Sequence, residues 1–441
     1  MMGFPCMKLK KIRCVFFKLT SLTLCLTIVL FLYNNGNLTV RRGLSYNFAM
    51  ISRERAATMD TYHTETLQCV MPKLGVNDSI MMKFYKKMDA VTCKGEKNWV
   101  FAENGTLRFA ENLTEIHGEV KCDFIPFFRG ENDYKVTYGE KVVGIKDGFP
   151  LVSDFFKVSC NSSKDNASYT NLHAGVFVNQ TIKDRLKLTK PPANGLGLSV
   201  ALLGFDSMSR MSWLRRMPKT REYLVNTLKA IELEGYNILG DGTPAALLPI
   251  LTGKHEHELP EARRGFNGSH PVDSFPWLWK DFQKRGYVTS WADAEIVIAP
   301  FNYRLLGFKY QPTDYFMRTF FLAVDPTYKK YSRFCHGSEP KHMVWLNWVR
   351  DIFYMYKDDP KFMVHFYTPL SHDDNNLITM TVSDEASIFM CLVQTVSDEA
   401  SIFMCLVQTV SDEASIFMCL VQTVSDEASI FMCSGLVCLH R

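Results

Sequence analysis

Residues 198–210 read LSVALLGFDSMSR, an apolar run that ends on an acidic residue, Asp206. Open α/β sheets bind ligands beyond the carboxyl ends of their strands, so this pattern predicts a strand that presents Asp206 to a site. Residues 241–253 read DGTPAALLPILTG and place Thr243 before Pro244. A hydroxyl near a carboxylate offers a nucleophile where a metal could sit. The sequence therefore makes Asp206 and Thr243 the first candidates for chemistry.

Each candidate also has a structural interpretation. Asp206 could cap a helix that follows the strand, and Thr243 could be a turn or cap residue before Pro244. His255 and His257 are separated by one residue, which would place both on one face of a strand and suggests a metal site. We expect them instead to be exposed loop residues.

The pattern after Leu198 predicts alternating strands and helices. Helical spacing runs over 215–234, a short strand over 236–239, a helix or buried strand over 247–251, a helix over 275–285 and a strand over 287–291. Such alternation is typical of a parallel sheet that is covered on both faces. We expect residues 191–380 to form this α/β domain.

The N-terminus has the composition of a membrane signal. Basic residues between 8 and 13 precede an apolar segment, 14–33, without a good cleavage site after it. We predict a signal-anchor with residues 1–13 in the cytoplasm, and a cleaved signal peptide is the alternative. A polar stalk, 34–66, would follow on the lumenal side. The expected protein is a type II membrane protein of the secretory pathway or cell surface, secreted if the segment is cleaved.

Glycosylation sequons and cysteines agree with export. Sequons are enriched after the apolar segment, which predicts a glycoprotein. Their asparagines are Asn37, Asn77, Asn104, Asn112, Asn161, Asn166, Asn179 and Asn267.

Residues 67–190 carry four spaced cysteines and short β-type runs at 135–138 and 155–158, which predict a strand-rich, disulfide-stapled domain. An oxidising compartment favours two disulfides over a zinc site. Three pairings of Cys69, Cys93, Cys122 and Cys160 stay open, and Cys335 is left over. The net charge of +4 and the lack of a basic stripe predict that nucleic acid is not a partner.

The segment 381–433 is a tandem repeat. TVSDEASIFMCLVQ starts at Thr381, Thr395 and Thr409 without a change, and a partial copy covers 423–433 before a tail, 434–441. Identity this complete favours a recent duplication or a gene-model artefact over a selected repeat fold. The repeat cysteines are copies and are not counted as a metal site.

Several motifs together resemble the DUF229 family of membrane-tethered or secreted animal proteins, within the alkaline phosphatase and sulfatase superfamily. The motifs span about 67–378 and include FDSMSR at 205–210, MPKT at 217–220, GDGTPAA at 240–246, LTG at 251–253, QPTD at 311–314 and SHD at 371–373. The resemblance implies an alkaline phosphatase-like α/β fold, incomplete on its C-terminal side in this chain.

The resemblance also implies a mechanism. Two divalent metal ions, zinc or calcium, would bind beyond the strand ends, with Asp206 as a ligand and Thr243 as the nucleophile. His372 and Asp373 would lie near the second part of the metal site. Relatives supply further ligands from a later Asp-His-Gly and a still later His, and this sequence contains neither in a matching context. We therefore predict a metal-dependent phosphoester or sulfoester hydrolase or transferase that is inactive as written. The alternative is a non-catalytic membrane-anchored glycoprotein with a binding or structural role.

Overall fold

The computed structural model describes residues 74–189, 197–228, 230–233, 236, 238–328, 333–381, 402–408 and 419–422, with the backbone alone for 326–328 and the last two ranges. These residues belong to one compact unit, Lys73–Arg441. No helix within these ranges is long and apolar enough to span a bilayer. The predicted cytoplasmic tail, anchor and stalk, together with Asn37 and Cys69, lie outside the described residues, as do most of the repeats.

The described chain is a mixed α/β protein. Its strands, in chain order, are β1 Val100–Glu103, β2 Thr106–Phe109, β3 Val120–Arg129, β4 Val136–Tyr138, β5 Val142–Ile145, β6 Phe149–Pro150, β7 Phe155–Ser162, β8 Ser168–Ala174, β9 Ser199–Phe205, β10 Ile231–Glu232, β11 Val288–Asp293, β12 Tyr315–Phe316, β13 Cys335–His336, β14 Glu339–Pro340, β15 Lys361–Tyr367, β16 Ile402–Gln408 and β17 Cys419–Gln422. Its helices are α1 Leu113–His117, α2 Gln180–Leu188, α3 Arg210–Arg216, α4 Pro218–Glu222, α5 Thr243–Thr252, α6 Leu278–Lys284, α7 Arg318–Tyr328 and α8 Lys341–Met355.

The largest sheet is mostly parallel and has seven strands in the order β10-β17-β16-β9-β15-β11-β12. Strands β16, β9, β15, β11 and β12 run parallel to one another, whereas β17 pairs antiparallel with both β16 and β10. Every residue of β11 and β15 is buried. Burial on both faces is what long apolar runs in parallel strands predict.

A second sheet is antiparallel and contains β4, β3, β7 and β8 in that order, with β5 also paired to β3. Two smaller antiparallel sheets are β1-β2-β6 and β13-β14. The predicted β-type runs at 135–138 and 155–158 lie in β4 and β7, so both are confirmed.

One hydrophobic core joins the two larger sheets. It contains Phe155 and Leu172 of the antiparallel sheet together with Leu203 of the parallel sheet and Trp348 of α8. The rings of Phe155 and Trp348 stack at 5.2 Å. A second core covers the other face of the parallel sheet and includes α5 and α6. The two sheets therefore share one core, and each also has a further hydrophobic core of its own.

Two local predictions are wrong. The predicted helix over 215–234 is instead divided into short elements. Helix α3 ends at Arg216, α4 begins at Pro218, and β10 lies in the last part of the range. Met217 has φ −127° and ψ 50°, because the residue before a proline is disfavoured in the α conformation. The predicted strand over 236–239 is not a strand at its described positions. Residues 247–251 are helical within α5, and the predictions at 275–285 and 287–291 are confirmed by α6 and β11.

The predicted disulfides are present, but one of them uses a cysteine that the prediction left over. Cys122 pairs with Cys160, and these residues are direct neighbours across β3 and β7. Cys93 pairs with Cys335, across 242 residues, so the prediction that left Cys335 over is wrong. The fold places the segment near residue 93 against β13, and sequence spacing carries no signal of such a distant approach.

Candidate functional site

The two candidate residues for chemistry meet at the carboxyl edge of the parallel sheet. Asp206 directly follows β9 and is 1% exposed. Thr243 is the first residue of α5. The Thr243 hydroxyl Oγ1 donates a hydrogen bond to Asp206 Oδ1 at 3.0 Å. This contact joins a candidate nucleophile to a carboxylate that can accept its proton.

The turn after β9 holds Asp206 in place. Ser207 has a positive φ of 56°, which is uncommon for a residue other than glycine and is often found at functional sites. Asn375 donates its Nδ2 to the Ser207 carbonyl at 2.8 Å and accepts a hydrogen bond from the Ser212 hydroxyl at 2.6 Å. The segment that follows β15 thus fixes the turn that follows β9.

The N-caps of the two helices are residues other than the two candidates. The N-cap of α3 is Ser209, whose side chain accepts a hydrogen bond from the Ser212 amide, so Asp206 does not cap this helix. The N-cap of α5 is Gly242, at φ 88°, and Thr243 lies one residue inside the helix. The first turn of α5 carries no side-chain cap and no acidic residue. The Asp206 carboxylate, in contact with Thr243, therefore lies at the positive end of this helix.

His372 and Asp373 make different contacts. His372 Nδ1 lies 2.9 Å from Asp373 Oδ1, and Arg333 Nη2 lies 2.6 Å from Asp373 Oδ2. The hydrogen bonds from His372 and Arg333 lower the pKa of Asp373. Both predicted residues are exposed, at 36% and 49% of their side chains. Their described side-chain contacts form a surface ion cluster rather than a shell around Thr243.

Asp293 was missed by the sequence predictions. It ends β11 and is 1% exposed. The register pairs Asp293 with Phe366, and Phe366 with Gly204, so Asp293 and Asp206 lie at the same edge of the sheet. Burial raises the pKa of Asp293 to about 8, Arg318 opposes this shift and the charge of Asp206 adds to it. An apolar strand that ends on an acidic residue was the signal used for Asp206, and residues 287–293 carry it as well.

A cleft of about 750 Å³ opens next to the start of α5. Asp241 and Ala245, two residues to either side of Thr243, contribute to its lining, as do Arg263 and Arg304. The candidate histidines lie there too, with His255 half-buried and the two imidazole rings stacked at 5.2 Å. The cleft thus places polar and charged groups near the start of α5, although neither Thr243 nor Asp206 lines it.

The sequon asparagines are all accessible where the structure describes them. The seven exposed positions are Asn77, Asn104, Asn112, Asn161, Asn166, Asn179 and Asn267. Asn179 also caps α2 through its side-chain oxygen, which leaves the amide nitrogen of the side chain available. Glycosylation at these positions stays a prediction that their exposure permits.

A metal centre needs several ligands close together. Among the residues whose side chains are described, no group of three or more His, Cys, Asp or Glu could hold a metal ion. Asp206 and Thr243 are the members of the implied set that meet. The described side chains therefore do not fit the complete two-metal centre that the resemblance implies.

Comparison with known proteins supports the family assignment. No curated protein matches this sequence. The family described as "Protein of unknown function (DUF229)" matches residues 48–407. Because this match covers most of the 441 residues, the chain belongs to the DUF229 family.

Proposed function

We propose that this protein is a phosphoester or sulfoester hydrolase- or transferase-like protein with an alkaline phosphatase-like site facing the lumen or cell exterior. The observation that carries the proposal is the 3.0 Å hydrogen bond between Thr243 and Asp206 at the carboxyl edge of the parallel sheet. The buried Asp206 carboxylate, the Thr243 hydroxyl and the N-terminus of α5 come together at this point. Such a terminus stabilises an anionic group, which a phosphate or sulfate ester carries.

The chemistry follows from this contact. The Thr243 oxygen attacks phosphorus or sulfur and forms a new O–P or O–S bond, while its proton passes to Asp206. The bond to the alcohol oxygen breaks, and that oxygen leaves with the bonding electrons. Water, or a second alcohol in a transferase, then displaces Thr243 and accepts the group.

The resemblance assigns divalent zinc or calcium ions to this site. A bound metal would lower the pKa of the nucleophile and neutralise the transferred group. Because the described side chains do not complete such a centre, we derive no step through a metal.

A non-catalytic binding role is the second candidate, and the same observation favours it. A site that retains Asp206, Thr243 and the adjacent cleft without a group of three metal ligands could bind an ester without cleaving it. The chain would then be a glycoprotein that uses part of an enzyme fold as a binding surface.

Turnover of p-nitrophenyl phosphate and p-nitrophenyl sulfate by the full chain, with and without added Zn²⁺ or Ca²⁺, separates the candidates. We expect Thr243→Ala to reduce any such turnover by roughly 10³-fold or more. The matched control is Thr252→Ala at the other end of α5, where the hydroxyl donates to the backbone carbonyls of Leu248 and Lys254 and accepts from the Lys254 amide.

Each outcome has one meaning. Turnover lost in Thr243→Ala and retained in Thr252→Ala supports the hydrolase. Turnover retained in Thr243→Ala removes Thr243 as the nucleophile. No turnover by the unmodified chain under any of the metal conditions favours the binding role.

A further inference from the structure

We propose that a second cavity, between α8 and the antiparallel sheet, binds a small aromatic amine whose ammonium group is held by Glu339 and His173. This α8 cavity measures about 210 Å³ and is lined by residues of β1, β8, α7, β13, β14 and α8. It shares no lining residue with the cleft beside α5, so amine binding here is independent of the proposed ester chemistry.

The α8 cavity is large enough for one aromatic ring and reaches solvent. Its lining includes Phe320, His336 and Trp348, which are at most 2% exposed. Phe101 and the side chain of Arg350 also line it and are each 39% exposed, so the cavity opens beside them. An apolar protein cavity of about 150 Å³ holds benzene. A volume of about 210 Å³ therefore accommodates a ring with a short polar arm.

A hydrogen-bond network determines which atom of His173 is left for a ligand. The Tyr169 hydroxyl donates to Asn98 Oδ1 at 3.0 Å, and Asn98 Nδ2 donates to Glu339 Oε2 at 2.9 Å. Because the hydroxyl hydrogen is used in this way, the 3.0 Å contact between Tyr169 and His173 Nε2 requires that this nitrogen donate. Burial lowers the pKa of His173 to about 3, which keeps its ring neutral. Nδ1 is therefore a hydrogen-bond acceptor.

His173 offers this acceptor inside the cavity. The residue is 6% exposed and contributes to the lining. Among the residues that the structure describes, none donates a hydrogen bond to His173 Nδ1. A buried acceptor without a donor is unfavourable, and a ligand that carries N–H groups would satisfy it.

Glu339 gives the α8 cavity an unbalanced negative charge. Its Oε2 accepts a hydrogen bond from the neutral Asn98, and no cation among the described residues forms an ion pair with this carboxylate. Burial raises the pKa of Glu339, and the bond from Asn98 opposes the shift. Asp351, in contrast, is paired with Arg350 at 3.1 Å. The lining thus has two carboxylates against one guanidinium, and one bound cation would balance it.

The groups around the cavity favour an organic ammonium ion over a metal ion. Within the described part of the chain, no group of three or more His, Cys, Asp or Glu could hold a metal ion. An ammonium group has three N–H donors, which suit His173 Nδ1 and the second oxygen of Glu339. Phe101, Phe320 and Trp348 line the same cavity. Aromatic rings attract cations through their faces and pack against an aromatic stem.

Direct titration of the full chain with phenethylamine at neutral pH tests the proposal, and phenethyl alcohol is the uncharged analogue of similar shape. We expect saturable binding of the amine, about tenfold or more tighter than that of the alcohol. Glu339→Gln should weaken amine binding about tenfold or more, and Glu339→Asp, which keeps the charge, should weaken it less.

The matched control is Glu131→Gln, the same change at an exposed glutamate that pairs with Lys135 outside the cavity. It should change the dissociation constant by less than about twofold. Circular dichroism of each variant checks that it is folded. Ester turnover, where present, should be the same in Glu339→Gln as in the unmodified chain.

Four results would overturn the proposal. The first is the absence of saturable phenethylamine binding by the folded, unmodified chain. The second is equal binding of the amine and the alcohol, because the charge would then play no part. The third is unchanged amine binding in a folded Glu339→Gln variant. The fourth is tighter binding of Nα-acetyl-lysine amide than of phenethylamine, which would assign the cavity to a lysine side chain of another protein. None of these results bears on Thr243 and Asp206.

Discussion

The two larger sheets of this protein pack on one core but differ in how they are used. The antiparallel sheet carries the Cys122–Cys160 disulfide and presents Asn161 to solvent. The parallel sheet has fully buried central strands, β11 and β15, and places Asp206 and Asp293 at one edge. Antiparallel strands can leave one face in water, whereas the strands of a covered parallel sheet open to ligands at their ends. The first sheet is thus suited to covalent stabilisation and modification, and the second to chemistry.

The largest stability effect should come from the antiparallel sheet. Replacing Cys122 and Cys160 together by serine removes a cross-link that spans 38 residues. The chain-entropy relation gives a loss of about 4 kcal/mol in the free energy of unfolding. Urea denaturation measures it, and far-ultraviolet circular dichroism before denaturant is added serves as the control that the variant is folded. A loss below about 1 kcal/mol would mean that the disulfide is not what stabilises this sheet.

The shared core predicts one cooperative transition. Leu203 of β9 is 0% exposed and Leu172 of β8 is 3% exposed, and both belong to the same cluster. Truncating either to alanine should reduce the free energy of unfolding by about 3 kcal/mol, because each leaves a cavity in that core. Denaturation followed by tryptophan fluorescence and by far-ultraviolet circular dichroism should give coincident curves for both variants. Two separated transitions would show that the sheets unfold independently.

A smaller effect is expected from a histidine in α8. His342 is 3% exposed, and neither of its ring nitrogens has a hydrogen-bond partner among the described residues. Burial lowers the pKa of His342 from 6.5 to about 4. Because the folded state favours the neutral imidazole, the contribution of His342 to stability is present above pH 6.5 and is lost as the pH falls towards 4.

His342→Leu should remove this dependence. Between about pH 6.5 and 4, the slope of the unfolding free energy against pH should decrease by up to about 1.4 kcal/mol per pH unit. This slope corresponds to the uptake of one proton on unfolding. Denaturant titrations at several pH values measure the slope, with the exposed His257→Leu as control. An unchanged slope would indicate that His342 is solvated in solution. Other buried histidines with lowered pKa values, His173, His336 and His365, supply the remaining dependence in both proteins.

The smallest effect should come from a sequon. Asn161 is exposed at the end of β7, so Asn161→Gln should shift the melting temperature by less than about 2 °C. The variant should also migrate faster in electrophoresis because it lacks one glycan, and this difference should vanish after enzymatic deglycosylation. Equal mobility of variant and unmodified protein from a secretory host would show that this sequon is not used.

Local pattern determined much of this protein. An apolar run that ends on an acidic residue identified β9 and Asp206, because a strand end depends on neighbouring residues. The apolar run over 247–251 left helix and strand open, and the structure places it in α5. The motifs of 205–246 also identified the family, which the match over 48–407 shows.

Only the tertiary structure decided the rest. The 3.0 Å contact of Thr243 with Asp206 and the Cys93–Cys335 disulfide join residues that are 37 and 242 positions apart. The exposed ion cluster of His372 and Asp373 likewise follows from the path of the chain after β15. Such contacts depend on how packed layers place distant segments, and no local periodicity or spacing records that placement.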